Sequence, residues 1–197
     1  MRRGTLWVTG SPECDRRVNT DPLALAIALL LDQQVSIELA FTGPFRLAER
    51  LGADPKTALD ANAIAAMNPH VFTAIVAAKP ALHRYPSSMA RRIQALCSFV
   101  AERYGGDTEA IWRRRRSAED VYDRLMELPG YGDEKSRIML AVLAKRFQRR
   151  PADWQRVCAP FGDDKPRSVA DMGDRDGRDA VRAWRREQKA QGKSKSD

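Results

Sequence analysis

Leu125-Met126-Glu127-Leu128-Pro129-Gly130-Tyr131-Gly132-Asp133-Glu134-Lys135-Ser136 places a helix stop, a chain reversal and a helix start in one short run. Pro129 cannot continue a helix without losing a hydrogen bond, and it disfavours helical geometry at Leu128. Gly130 and Gly132 then permit a tight reversal and keep side chains away from the backbone. The amides of the bend and of the next helical turn are expected to face outward at the positive end of a helix dipole, which makes an anion site. Leu128, Ile138, Leu140 and Val142 are the expected apolar anchors, and Lys135 adds charge. Asp133 and Glu134 suit a helix N-terminus but repel a phosphate beside them, so they are expected to point away from it. The plain alternative is a helical hairpin with a Gly-rich turn and no ligand.

Outward from this bend the chain reads as helix after helix. AEDVYDRLMEL precedes it, and DEKSRIMLAVLAKRF continues from it. Towards the N-terminus, SSMARRIQALCSFVAERYGG has apolar residues Met89, Ile93, Leu96 and Val100 at helical spacing, with Ser87 as its expected cap and Gly105 and Gly106 closing it. Shorter helices are expected over 61–67 and 69–77. Ser36 begins another, over 37–51, bent near Gly43 and Pro44 and ended by Gly52. Asp21 and Pro22 start LALAIALLLDQQV, which is apolar almost all round and so belongs in the core. Before it, TLWV reads as a short extended stretch ended by turn formers.

This pattern predicts an all-α chain divided into an N-terminal segment over 1–20, a helical core over 21–150, an irregular segment over 151–177 that packs on the core, and a charged helix with a disordered polar tail over 178–197. Its 197 residues, 43% of them hydrophobic, suffice for a buried core. With 34 Lys and Arg against 26 Asp and Glu the formal charge is +8. That sign suits a polyanionic partner without requiring one. Cys14, Cys97 and Cys158 are far apart and odd in number, which fits neither a disulfide framework nor a CxxC metal motif. The apolar run at 23–31 is too short to span a bilayer, and the N-terminus has no signal-peptide pattern, so a cytoplasmic protein without a membrane partner is expected. His70 and His83 are isolated, which argues against a metal or general-base role. Trp112, Trp154 and Trp184 can stack on a base, yet each reads equally as a packing residue.

A second informative stretch is LLLDQQVSIELA. Gln33 and Gln34 close a hydrophobic helix just before Ser36, and their amides both donate and accept hydrogen bonds, as base edges or a gap in a duplex require. A polar helix end with no function is the alternative.

Taken in order, LLLDQQVS, SSMARRIQAL and LMELPGYGDEKSRIMLAVL resemble the helix-hairpin-helix superfamily of base-excision DNA glycosylases, especially the alkylbase glycosylase branch, over residues 22–147. The resemblance implies a two-lobed helical fold with a central cleft, a bent duplex and a damaged nucleotide turned out of the stack. By that analogy Gln33 and Gln34 lie near the opening in the duplex. Gly130, Tyr131 and Gly132 hold a phosphate, with a monovalent cation on the hairpin carbonyls, Lys135 and Ser136 support the grip, and Ser36 and Leu128 belong to the same DNA-binding set.

The family places a carboxylate about twenty residues past the hairpin, where it stabilises the charge that develops on the sugar and orients water. Asp153 is nearest by count, although ungapped alignment puts Ala152 at that position, and Asp163 and Asp164 are reached only with an insertion. A site with no such carboxylate is the remaining alternative. Bifunctional relatives carry a Schiff-base Lys where this chain has Glu134, and Lys135 is rotated about 100° around the helix, so no efficient lyase step is expected. Cys158 alone follows the hairpin, so no iron-sulfur cluster and no side-chain metal site are expected. The resemblance thus implies a monomeric, monofunctional glycosylase acting on a damaged base in double-stranded DNA, in the cytoplasm and on the nucleoid if the source is bacterial. A non-catalytic module for distorted DNA and, more remotely, a helical protein scaffold are the competing functions.

Overall fold

In the computed structural model, which describes residues 4–54 and 56–192, the chain is all-helical. Among the described residues the only strand-like pairing is one isolated parallel bridge between Ser117 and Ala152.

The first helix, α1 (Pro12–Thr20), lies where composition alone reads as a turn. The residues that look like turn formers are in fact a helix start: Ser11 accepts from the Cys14 amide, Pro12 occupies the first turn, and Glu13 and Asp15 complement the dipole. Asp15 is buried and accepts hydrogen bonds from the amides of Val8 at 3.2 Å and Thr9 at 3.0 Å. Asn19 does the same for Leu6 at 2.9 Å. The TLWV stretch is therefore extended, but α1 side chains and the Met172 carbonyl hold it, and no strand does.

α2 (Pro22–Leu31) is the central helix, buried from Leu23 to Leu31. It starts at Asp21, whose carboxylate accepts from the amides of Leu23, Ala24 and Leu59. α2 stops at Leu31, short of the double Gln that the sequence pattern includes in it. α3 (Ile37–Arg50) follows with Ser36 as its cap and Pro44 inside it. Gly43 lets α3 close on α2, since a Cβ there would lie 2.5 Å from Leu31 Cδ1.

α4 (Ala61–Ala66) and α5 (Pro69–Ala77) pack on the long α6 (Pro86–Tyr104), which ends at Gly105 in the left-handed conformation. Ser87 does not cap α6: Pro86 is its first residue and Tyr85 precedes it with no side-chain cap. Proline is already pre-set for a first helical turn, which moves the start back by one residue. A 3-10 turn (Thr108–Ile111) leads to α7 (Ala118–Met126), capped by Ser117, and α7 is paired through the hairpin with α8 (Asp133–Arg146). The expected anchors Leu128, Ile138, Leu140 and Val142 are all buried.

Beyond α8 the chain carries the short α9 (Trp154–Val157), a 3-10 turn at Val169–Asp171, and α10 (Arg175–Ala190), which begins earlier than its charge pattern indicates. Only Val181 of α10 is buried, and Trp184 meets the Arg167 guanidinium at 5.4 Å. The polar end from 193 onward lies outside the described residues. No helix among the described residues is long and apolar enough to cross a membrane.

Candidate nucleic-acid interface

The hairpin is exposed where its reading as an anion site needs it to be. Pro129 is half-buried, while Gly130 and Gly132 are exposed. Gly130 has φ +84, a conformation that favours glycine, and a Cβ on it would lie 2.5 Å from Leu30 Cδ1. Gly132 is the N-cap residue of α8, and no side chain caps the turn that follows. A helix N-terminus left in this way presents amide dipoles to whatever acceptor approaches.

Three residues of the expected DNA-binding set turn their side chains inward instead. Tyr131 is 8% exposed, and its hydroxyl donates to the Ala26 carbonyl at 2.8 Å. Burial raises the Tyr131 hydroxyl far above the ordinary range, so it offers no anion contact through its side chain. Leu128 is buried, and its carbonyl accepts from the Tyr131 amide at 3.0 Å. Ser136 is fully buried, with its hydroxyl inside the protein and without a hydrogen-bond partner. These side chains seat the bend on α2 and α8, because a ring or an aliphatic group beside two glycines has a core to enter. Lys135 remains half-buried one turn into α8.

The carboxylates at the start of α8 are handled by neighbours. Asp133 accepts from the Tyr122 hydroxyl at 2.6 Å and from Arg137 Nε at 2.6 Å. Those two hydrogen bonds, led by that from Tyr122, hold its pKa below the ordinary 3.8.

Two arginines that the sequence pattern does not single out complete the site. Arg91 and Arg92 project from the exposed face of α6 and, with Ser88 and Ala95, form the opposite wall of an open groove against Pro129, Gly130, Tyr131 and Gly132. No carboxylate lines this groove. The signal available beforehand is an adjacent Arg pair on the polar side of an amphipathic helix, but which helix faces the hairpin is decided by packing.

The double Gln is joined to the same groove. Arg92 donates to Gln33 Oε1 at 2.6 Å, and Gln33 Nε2 donates to the Leu30 carbonyl at 2.7 Å. The Tyr85 amide donates to His83 Nδ1 at 3.1 Å, so the proton of His83 lies on Nε2 and is donated to the Gln33 carbonyl at 2.8 Å. Gln33 is thus fixed on all sides. Gln34 is exposed and sits at φ 54, a left-handed conformation that costs a non-glycine residue about 1 kcal/mol or more. Ser36 is exposed, with its hydroxyl accepting from the Leu39 amide at 3.3 Å.

The candidate catalytic carboxylates are elsewhere. Asp153 is 68% exposed, holds φ 59 before α9, and has Arg156 at 3.9 Å. Asp163 accepts from Arg167 Nε at 2.9 Å, and its carbonyl takes the Lys145 ammonium at 2.5 Å. Asp164 lines a separate cleft with Lys145, Arg146 and Trp154. None of the three lines the hairpin groove. Among the described residues no cluster of three or more His, Cys, Asp or Glu is placed to hold a metal ion.

The sequence matches no protein-family model, and no curated protein matches it significantly.

Proposed function

We propose that this protein binds damaged double-stranded DNA as a base-excision repair protein on the helix-hairpin-helix glycosylase plan, with two helical lobes and the damaged strand between them. It acts as a cytoplasmic monomer. The observation that carries this reading is the groove in which the uncapped start of α8 faces Arg91 and Arg92, with exposed Gln34 following a Gln33 that Arg92 holds. Amide dipoles and guanidinium groups converging in a groove that no carboxylate lines, with Asp133 beside it held by Tyr122 and Arg137, favour a phosphodiester backbone. The exposed amide of Gln34, on strained backbone next to the Gln33 that Arg92 holds, suits the space left when a nucleotide leaves the stack.

The test is binding of a duplex carrying an abasic-site mimic over a salt series, read by fluorescence anisotropy. Each phosphate engaged steepens the log–log slope by about 0.9. Affinity that does not change with salt overturns the reading.

In the glycosylase form of the proposal, Asp153 is the carboxylate that stabilises the sugar cation, because it is exposed and lies nearest by count. A panel of damaged bases followed by alkali, run with wild type and Asp153→Asn, tests that step. A second reading, a module that recognises distorted DNA without cutting it, is favoured by the lack of any carboxylate lining the groove. It predicts binding with no base release by either protein.

A further inference from the structure

At the far end of the hairpin helices lies a cavity of about 190 Å³ that the DNA-binding reading does not use. Two arginine-bearing segments distant in sequence form it. Arg114 and Arg115 come from the run before α7, and Arg149 and Arg150 from the chain leaving α8. The Ser117–Ala152 bridge stitches these segments side by side: the Ala152 amide donates to the Arg116 carbonyl at 2.9 Å, and the Ala118 amide to the Ala152 carbonyl at 3.3 Å.

Three features indicate that an acceptor is missing from this arrangement. No carboxylate lines the cavity; Glu109 pairs with Arg149 at 3.0 Å and Asp120 with Arg115 at 3.6 Å from outside it. The indole N–H of Trp112, which is 3% exposed, and the Nε–H of Arg149 are buried donors without a hydrogen-bond partner, and both belong to lining residues. Buried donors are rarely left unpaired, and two beside one cavity point to an acceptor that belongs there. Finally, Arg114 and Gln148 both adopt left-handed backbone, at φ 58 and φ 56, in the two segments that close the cavity. Such strain gathers at binding sites.

We infer that this cavity binds a phosphomonoester group. Glu109 and Asp120 balance Arg149 and Arg115, while Arg114 and Arg150 bring two further guanidinium groups to the cavity, and the planar fork of arginine matches phosphate oxygens. Behind the arginines the wall is apolar, from Val121, Leu140 and Leu143. A small cavity backed in this way takes a phosphate at the end of a chain more readily than a diester, which must lead two chain arms away. The same chemistry comes from a DNA strand terminus or from a free phosphorylated metabolite; only the strand terminus rests on the function proposed above.

The experiment follows the Trp112 indole N–H cross-peak of 15N-labelled protein, assigned with Trp112→Phe, during titration with inorganic phosphate at constant ionic strength. The expected result is a saturable shift that chloride does not produce and that Arg114→Gln and Arg150→Gln each weaken about tenfold. In parallel, nicked duplexes with a 5′-phosphate or a 5′-hydroxyl are compared. Tighter binding of the phosphorylated nick, lost in Arg114→Gln, assigns the strand end; equal binding with the phosphate shift retained assigns a free phosphorylated compound. No saturable shift and no difference between the nicks overturn the inference. Intact-duplex binding through the hairpin is unaffected by that outcome, and the phosphate shift is unaffected by failure of the hairpin, so the two proposals fail separately.

Discussion

Tyr131 and Ala26 are joined across the protein by a hydrogen bond of 2.8 Å from the phenol to a backbone carbonyl in the middle of α2. The bend between α7 and α8 is therefore held on the central helix by a side chain from its own apex. Tyr131→Phe is expected to lower stability by about 1 kcal/mol, because one buried hydrogen bond is lost while the ring stays packed. Urea denaturation measures it; an unchanged midpoint refutes the anchoring role.

The two glycines of the bend should respond differently to substitution. Gly130→Ala meets both positive φ and Leu30 Cδ1 at 2.5 Å, and is expected to cost about 1–3 kcal/mol of folding stability. Gly132 has open space where a side chain would go. Gly132→Glu is thus expected to leave the denaturation midpoint nearly unchanged while weakening duplex binding about tenfold, or about 1.4 kcal/mol. Parallel denaturation and anisotropy measurements distinguish the two; full affinity in Gly132→Glu places the DNA elsewhere.

Arg92 faces the groove and also holds Gln33. Arg92→Ala should reduce the salt slope of binding by about 0.9, the amount one phosphate contact supplies. A slope equal to that of wild type removes Arg92 from the interface.

Asp133 carries a negative charge beside the proposed phosphate. Its folded pKa lies below its unfolded value, so its ionised form adds stability above the ordinary 3.8, and that contribution is lost as pH falls through the folded value. It stays charged throughout neutral pH. Asp133→Asn should therefore strengthen duplex binding modestly at neutral pH and flatten the acid limb of the stability curve. Weaker binding by this variant argues that the Asp133–Arg137 pair positions the site.

The three cysteines are buried. Burial pushes the Cys97 thiol up to about 12, with Asp60 and Asp21 adding to it, and pushes Cys158 up to about 11. Iodoacetamide at neutral pH should leave the native protein largely unmodified and label all three thiols in urea, as mass spectrometry can count. Rapid labelling of native Cys97 contradicts its placement.

Much of the helical order is legible in the residues themselves. The apolar run at 23–31, the period of Met89, Ile93, Leu96 and Val100, and the stop at Pro129 are local signals, and local physics fixes them. α1 is missed because Ser11 and Pro12 serve turns and helix starts alike, and only burial of Asp15 and Val18 selects the helix. At the candidate site the bend is readable, but the direction of its side chains is not. Tyr131 and Ser136 turn inward because α2 and α8 supply a core for them. Arg91, Arg92 and the four arginines around Trp112 become meaningful only when segments far apart in sequence meet, which no local pattern records.

Gly130 rests on Leu30, Gln33 reaches back to the carbonyl of the same Leu30, and Tyr131 reaches α2 one turn earlier at Ala26. The separation between the bend and the Gln33 side chain is consequently set on one buried rod, with both anchored at Leu30. Any ligand that spans both must supply the compliance itself, so a stiff polymer pays an elastic penalty there that a locally weakened one escapes.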